Sequence, residues 1–210
     1  MRAKVNTATG CTCPLFRYPE YMNSSSPIRL GIVGQPSSGK DTVAAYLVDS
    51  HKFVHVSTGD SIRFYVAEHG LGEPTRELLR DIGNVLRAEH GPDYLARLAL
   101  QHESDRLVIS GLRTMAEAEQ VKQQGGMVIA IEATLRHRYN RALDRGRVGE
   151  DVTFERFAEL AEIEAQAAAN NPIVQNVNAV VAFADRVITN DGTLKALHAQ
   201  VDRLVGEMLA

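Results

Sequence analysis

The chain has 210 residues, 44% of them apolar, and a net charge of −3. This is enough for one substantial core, and the charge gives no general electrostatic reason to expect a nucleic-acid partner. Cys11 and Cys13 are the only cysteines, so no disulfide framework is implied. The uncharged run from Ala165 to Ala184 is broken by Gln, Asn and Pro172, which excludes a membrane span. The N-terminus has no continuous apolar segment of the secretory kind, so a cytoplasmic enzyme is expected.

Residues 1–26 mix Thr, Asn, Ser, Gly and Pro without apolar periodicity and are expected to form an unstructured leader. Met22, just before the Ser run, reads as the natural start, and residues 27–210 as a single domain. Ile28 to Val33 is a short apolar run that predicts a buried strand. Gly34-Gln35-Pro36-Ser37-Ser38-Gly39-Lys40-Asp41-Thr42 follows, and then the apolar start of a helix at Val43. Strand, glycine-bounded loop and helix is the setting of a phosphate-binding loop. Its backbone amides turn inward as a nest, and the helix N-terminus adds partial positive charge. Gly34, Ser37, Ser38, Gly39, Lys40, Asp41 and Thr42 are the expected donor-binding residues, with Lys40 reaching the β- and γ-phosphates. The residue after such a lysine is ordinarily Ser or Thr; here it is Asp41, with Thr42 next, so either could serve magnesium.

Phe53 to Val56 predicts a second strand, running into Ser57-Thr58-Gly59-Asp60-Ser61-Ile62-Arg63, a helix start with Asp60 at or near the cap. Asp60 is a candidate metal-side carboxylate or base, and Arg63 a candidate phosphate ligand. Leu78, Leu79, Ile82, Val85 and Leu86 recur at helical spacing, which places Arg76, Arg80 and Arg87 on exposed faces; Pro92 starts another helix. Arg106 to Ile109 is a third strand ending in Ser110-Gly111-Leu112-Arg113-Thr114, where Thr114 and Glu117 make a capping box. Arg113 thus stands at a strand's C-terminal edge, suited to a phosphate.

Met127 to Ile131 is a fourth strand, and the helix after it carries Arg136, Arg138, Arg141 and Arg145, then Arg147. Residues 144–151 are expected to be a short lid whose Arg145 and Arg147 close over transferring phosphates. An alanine-rich helix runs from Thr153 to Ala169 and stops at Asn170-Asn171-Pro172. Arg186 to Thr189 is a fifth strand; its following turn, Asn190-Asp191-Gly192, is either a contact to the base or simply a tight turn. The alternation gives an α/β three-layer sandwich with a five-stranded, mostly parallel sheet, all candidate residues lying at strand C-termini or the lid.

Together these motifs resemble the P-loop small-molecule kinases related to adenylate kinase. Ser57 to Arg63 is similar to the segment that binds the acceptor nucleotide there, which implies Thr58 on the base side and Arg63 on the phosphate. Gly111-Leu112-Arg113-Thr114 resembles the second acceptor motif, with Gly111 and Arg113 as acceptor ligands. Where adenylate kinases carry Asp, Pro and Gln, this chain carries Ser110, Leu112 and Glu117. Gly39-Lys40-Asp41-Thr42 is similar to phage-type deoxynucleoside monophosphate kinases, and Ala184 to Leu194 resembles the end of dephospho-CoA kinases. The run from Ile28 onward also resembles a little-characterised family of kinase-like archaeal and bacterial P-loop proteins.

The resemblance implies transfer of the γ-phosphoryl of ATP, with magnesium, to a small nucleotide-like acceptor, a (deoxy)nucleoside monophosphate foremost. Lys40, Asp60, Arg145 and Arg147 are the expected catalytic residues, and Asp41, Thr42 and Asp60 the expected metal side. Transfer to a hydroxyl, as in dephospho-CoA kinases, is the alternative, with Asp60 as base. A regulatory P-loop ATPase is the alternative of another class. Neither nucleic acid nor membrane is expected as a partner.

Overall fold

The computed structural model describes residues 27–146, 153–167 and 176–209. Its elements in chain order are β1 (Ile28–Val33), α1 (Lys40–His51), β2 (Val54–Ser57), α2 (Thr58–Glu68), α3 (Arg76–His90), α4 (Tyr94–Leu100), β3 (Arg106–Ser110), α5 (Met115–Gln123), β4 (Met127–Glu132), α6 (Leu135–Arg145), α7 (Phe154–Ala167), α8 (Val177–Ala182), β5 (Arg186–Thr189) and α9 (Leu194–Leu209). The strands form one sheet in the order β2-β3-β1-β4-β5. Each pairing is parallel, so the sheet is parallel throughout rather than mostly so. Among the described residues no helix is long and apolar enough to cross a membrane.

The central strands are apolar on both faces because helices cover both. Leu30, Ile32, Ile129 and Ile131 pack on one face against Val43 and Leu47 of α1 and Leu197 and Val201 of α9. Their strand neighbours Val33, Val128 and Ala130, with Leu107 and Ile109, pack on the other against Ala96 of α4, Val121 of α5 and Val180 of α8. A third cluster, Ile62, Val66, Leu86 and Leu95, joins α2, α3 and α4. All five strands point their C-termini at one rim, where β1 gives way to the glycine-bounded loop.

Asp60 lies near the cap of α2, as expected, in the first turn; the cap itself is Ser57, whose hydroxyl accepts the Asp60 N–H at 3.3 Å. Several other expectations are corrected. Arg87 is not on an exposed face but 2% exposed, paired with an equally buried Glu117. The helix expected from Pro92 begins at Tyr94. A short helix, α8, stands where none was expected; its cap Asn176 accepts the Ala179 N–H at 3.0 Å. The leader, Arg147 and the rest of the lid through residue 151, and the stop at Asn170-Asn171-Pro172 lie outside the described residues.

Candidate active site

The loop between β1 and α1 is held in shape by backbone that ordinary residues adopt only under strain. Gly34 has φ 148°, and a Cβ there would sit 2.3 Å from the Ile131 carbonyl oxygen. Gly39, the N-cap of α1, has φ 102°, and a Cβ there would sit 2.2 Å from Asn190 Nδ2. Gly39→Ala is therefore expected to cost about 2 kcal/mol or more in a denaturant titration, and trimming Asn190 in the same chain should restore only part of it, because the φ strain stays. Ser37 is also left-handed, at φ 63°. The Ser38 hydroxyl is fully buried with no hydrogen-bond partner among the described residues. A loop with no room for a Cβ at either glycine, and with an orphaned hydroxyl at Ser38, fits a bound polyphosphate.

The turn after β5 supports the loop from behind. Asn190 Nδ2 donates to the Ser38 carbonyl at 2.8 Å, and Arg141 donates to the same carbonyl at 3.3 Å and to the Asn190 carbonyl at 2.6 Å. Asp191 accepts from the Thr134 N–H at 2.7 Å and faces His137 Nδ1 at 2.9 Å, which fastens this turn to the start of α6. The turn thus buttresses the loop, which favours the tight-turn reading of Asn190-Asp191-Gly192, and Arg141 of the basic run joins it in that support.

The arginines of α6 have different neighbours. Arg141 and Arg145 contact the loop, Arg136 lies over the Phe154 ring of α7 at 3.5 Å, and Arg138 stands between, lining the cleft beside Gln35 and lying 6.0 Å from the Phe157 ring of α7. Arg145, the last residue of α6, hydrogen-bonds through its guanidinium to the Ser37 hydroxyl. Lys40 Nζ donates to the Gln35 carbonyl at 3.0 Å. Burial lowers the Lys40 pKa to about 8, helped by the positive charges of Arg113, Arg145 and Arg138 and opposed by Asp41. Lysine and arginines from separate elements therefore share one electrostatic neighbourhood at the rim.

The acceptor side is assembled less completely. Thr58 is buried and its hydroxyl donates to the Gly111 carbonyl at 2.8 Å, so it ties α2 to the β3–α5 turn rather than offering a free hydroxyl to a ligand. Gly111 is left-handed at φ 86°, and a Cβ there would strike that same hydroxyl. Arg63 is turned to Asp60 at 2.6 Å, both side chains exposed, so each must release the other to serve substrate. Ser110, at the strand end, is engaged by His55 Nε2 at 2.7 Å. Desolvation pushes the His55 ring below its usual pKa, and the negative charges of Asp60 and Asp41 oppose that shift. His55 is itself exposed on the edge strand β2, and sequence reasoning named it only as part of that strand.

For magnesium, Asp41 and Thr42 stand exposed at the start of α1, and no group of three or more His, Cys, Asp or Glu able to hold a metal exists among the described residues. This donor set suits a metal held mainly by phosphates and water with one protein oxygen, not an all-protein cage. Beside the loop lies a cleft of about 340 Å³, lined among others by Gln35, Glu132, Thr134, Arg138, Asn178 and Asp191.

The AAA domain family matches residues 33–158 of this chain. A UPF0200 protein of Aeropyrum pernix is 32% identical over 185 residues, covering 85% of this chain and 94% of that one. One of Hyperthermus butylicus is 29% identical over 192 residues, covering 89% and 98%. The crystal structure of shikimate kinase from Bacteroides thetaiotaomicron superposes with a TM-score of 0.60 at 12% identity, covering 87% of this chain and 99% of that chain, a likeness of fold alone. The fold is that of a P-loop kinase, which implies nucleotide binding, and by both the domain match and the relatives the chain belongs to the AAA-domain P-loop proteins and, among them, to the UPF0200 family.

Proposed function

We propose that the protein transfers the γ-phosphoryl group of ATP, with magnesium, to a nucleotide-like acceptor carrying its own phosphate, foremost a (deoxy)nucleoside monophosphate. Two observations support this reading: Arg145 from the end of α6 hydrogen-bonds to the Ser37 hydroxyl of the loop, and the positive charge of Arg113, after the end of β3, is felt by Lys40 of the same loop. Phosphoryl transfer asks little covalent chemistry of a protein and much positioning and charge neutralisation. The loop amides and Lys40 hold the donor's β- and γ-phosphates, and the nucleoside end lies along the cleft beside Gln35 and Asp191. Arg113 holds the acceptor's phosphate, joined by Arg63 once Asp60 releases it. Arg145 lies over the loop to meet charge developing on the transferred group. Asp41 or Thr42, with Asp60 near the same edge, serves the metal side.

Asp60 also supports a second reading, in which the acceptor is a hydroxyl and the carboxylate takes its proton. ADP release measured across nucleoside monophosphates, deoxynucleotides and dephospho-CoA separates the two. Stimulation by monophosphates is the expected result. Stimulation by dephospho-CoA alone would favour the hydroxyl reading, and no stimulation by any of them would remove the kinase assignment.

A further inference from the structure

Four separate parts of the fold hold the backbone around one residue, Arg113. Its N–H donates to Glu117 Oε2 at 2.7 Å, and its carbonyl accepts from the Asn176 N–H, at the start of α8, at 2.9 Å. The same Glu117 oxygen accepts the Thr114 N–H at 3.2 Å, and the Thr114 hydroxyl in turn accepts the Glu117 N–H at 3.2 Å and donates to the Pro92 carbonyl at 2.8 Å. The other Glu117 oxygen accepts from Arg87 Nε of α3 at 2.9 Å. A helix cap needs only the Thr114–Glu117 exchange. The bond to Arg113 and the ion pair to Arg87 go beyond capping.

The ion pair is a poor device for stability. Both side chains are sealed from water, at 1% and 0% exposure, and a buried pair rarely stabilises more than apolar residues of the same volume. Arg87 Nη1 finds no hydrogen-bond partner among the described residues. Its guanidinium folds back over Gly83, where a Cβ would sit 3.1 Å from Nη1, so α3 carries a helix-weakening glycine at that point. What the arrangement secures is the placement of the Arg113 backbone, and hence the origin of a side chain whose charge reaches Lys40.

We propose that Glu117 and Arg87 are positioning residues that fix Arg113 at the mouth of the cradle, so that the second anion is held in line with the donor phosphates. This rests on the reading of Arg113 as the anion clamp. The test is titration of the full chain, loaded with Mg–ADP, with inorganic phosphate, comparing the unaltered protein with Arg113→Ala, Arg87→Met/Glu117→Leu and Glu117→Gln. In the double variant the apolar pair replaces the ion pair but leaves the Arg113 and Thr114 N–H groups without Glu117, so the melting temperature is expected to fall by several degrees while Mg–ADP affinity stays within about twofold, phosphate affinity falls at least about tenfold and the Arg113 amide exchanges faster with deuterium. Glu117→Gln, which preserves shape, is expected to give a smaller loss of the same kind and decides the matter if the double variant does not fold. Unchanged phosphate affinity in folded variants would overturn this inference alone. An Arg113→Ala protein that binds phosphate as before would overturn the clamp reading and this inference with it.

Discussion

Replacing Lys40 with Met is expected to raise the melting temperature of the nucleotide-free protein while abolishing Mg–ATP binding. In the folded chain the ammonium is pushed from 10.5 down to about 8, by burial first and then by Arg113, so folding works against its charge. The folded-state pKa lies below the unfolded one. Below about pH 8 both states hold the proton and the folded state bears the whole penalty. As pH rises from about 8 to 10.5 the folded state loses its proton first, and stability climbs through that window. The shift corresponds to about 3 kcal/mol, offset by about 1 kcal/mol for the lost hydrogen bond to the Gln35 carbonyl, and a net gain of about 1–2 kcal/mol would appear as a few degrees in melting temperature. The binding loss follows because the same ammonium is the charge that meets the phosphates. A Lys40→Met protein that melts lower than the parent and still binds Mg–ATP would contradict both halves of this argument.

Arg113→Ala is the second large effect. Losing a charged contact to a desolvated phosphate is expected to lower acceptor-dependent ADP release by about two orders of magnitude or more, and donor affinity by no more than about threefold. The asymmetry is diagnostic. A regulatory ATPase, the alternative of another class, would hydrolyse ATP without a small acceptor and would keep its rate when Arg113 is removed. The rate should be measured with and without acceptor at saturating ATP, since only the difference reports the second anion.

The parts of the site legible in the sequence are those written locally. Glycines at positions 34 and 39, an apolar run before them and a helix after them specify a loop whatever the rest of the chain does. The strand ends carrying Asp60, Arg113 and the turn at Asn190 followed from the βα alternation, because parallel strands deliver their C-termini to one rim. What the sequence did not yield depends on partners far along the chain. The 3.6-residue pattern of α3 was read for its apolar stripe, which sent Arg87 to solvent; its carboxylate lies 30 residues away on another helix. A signal was present: Glu117 stands four residues before buried Val121 on α5, a carboxylate on an apolar face that must find a cation. The positions of Asn190 and Arg141 were legible but their role was not, since their target is a backbone carbonyl of the loop. Composition could not separate the arginines of α6 either; only the placement of α7 tells Arg136, on the Phe154 ring, from Arg141 and Arg145, on the loop.

The account stands on a cradle whose lysine is kept short of its ordinary proton affinity until a polyphosphate arrives. Titration calorimetry with a non-hydrolysable Mg–ATP analogue, just above pH 8 and in buffers of different ionisation heat, measures that directly. Saturable binding that takes up a fraction of a proton per nucleotide, both lost in Lys40→Met, is the expected result. An analogue that does not bind, or binds with no proton exchanged, would contradict it.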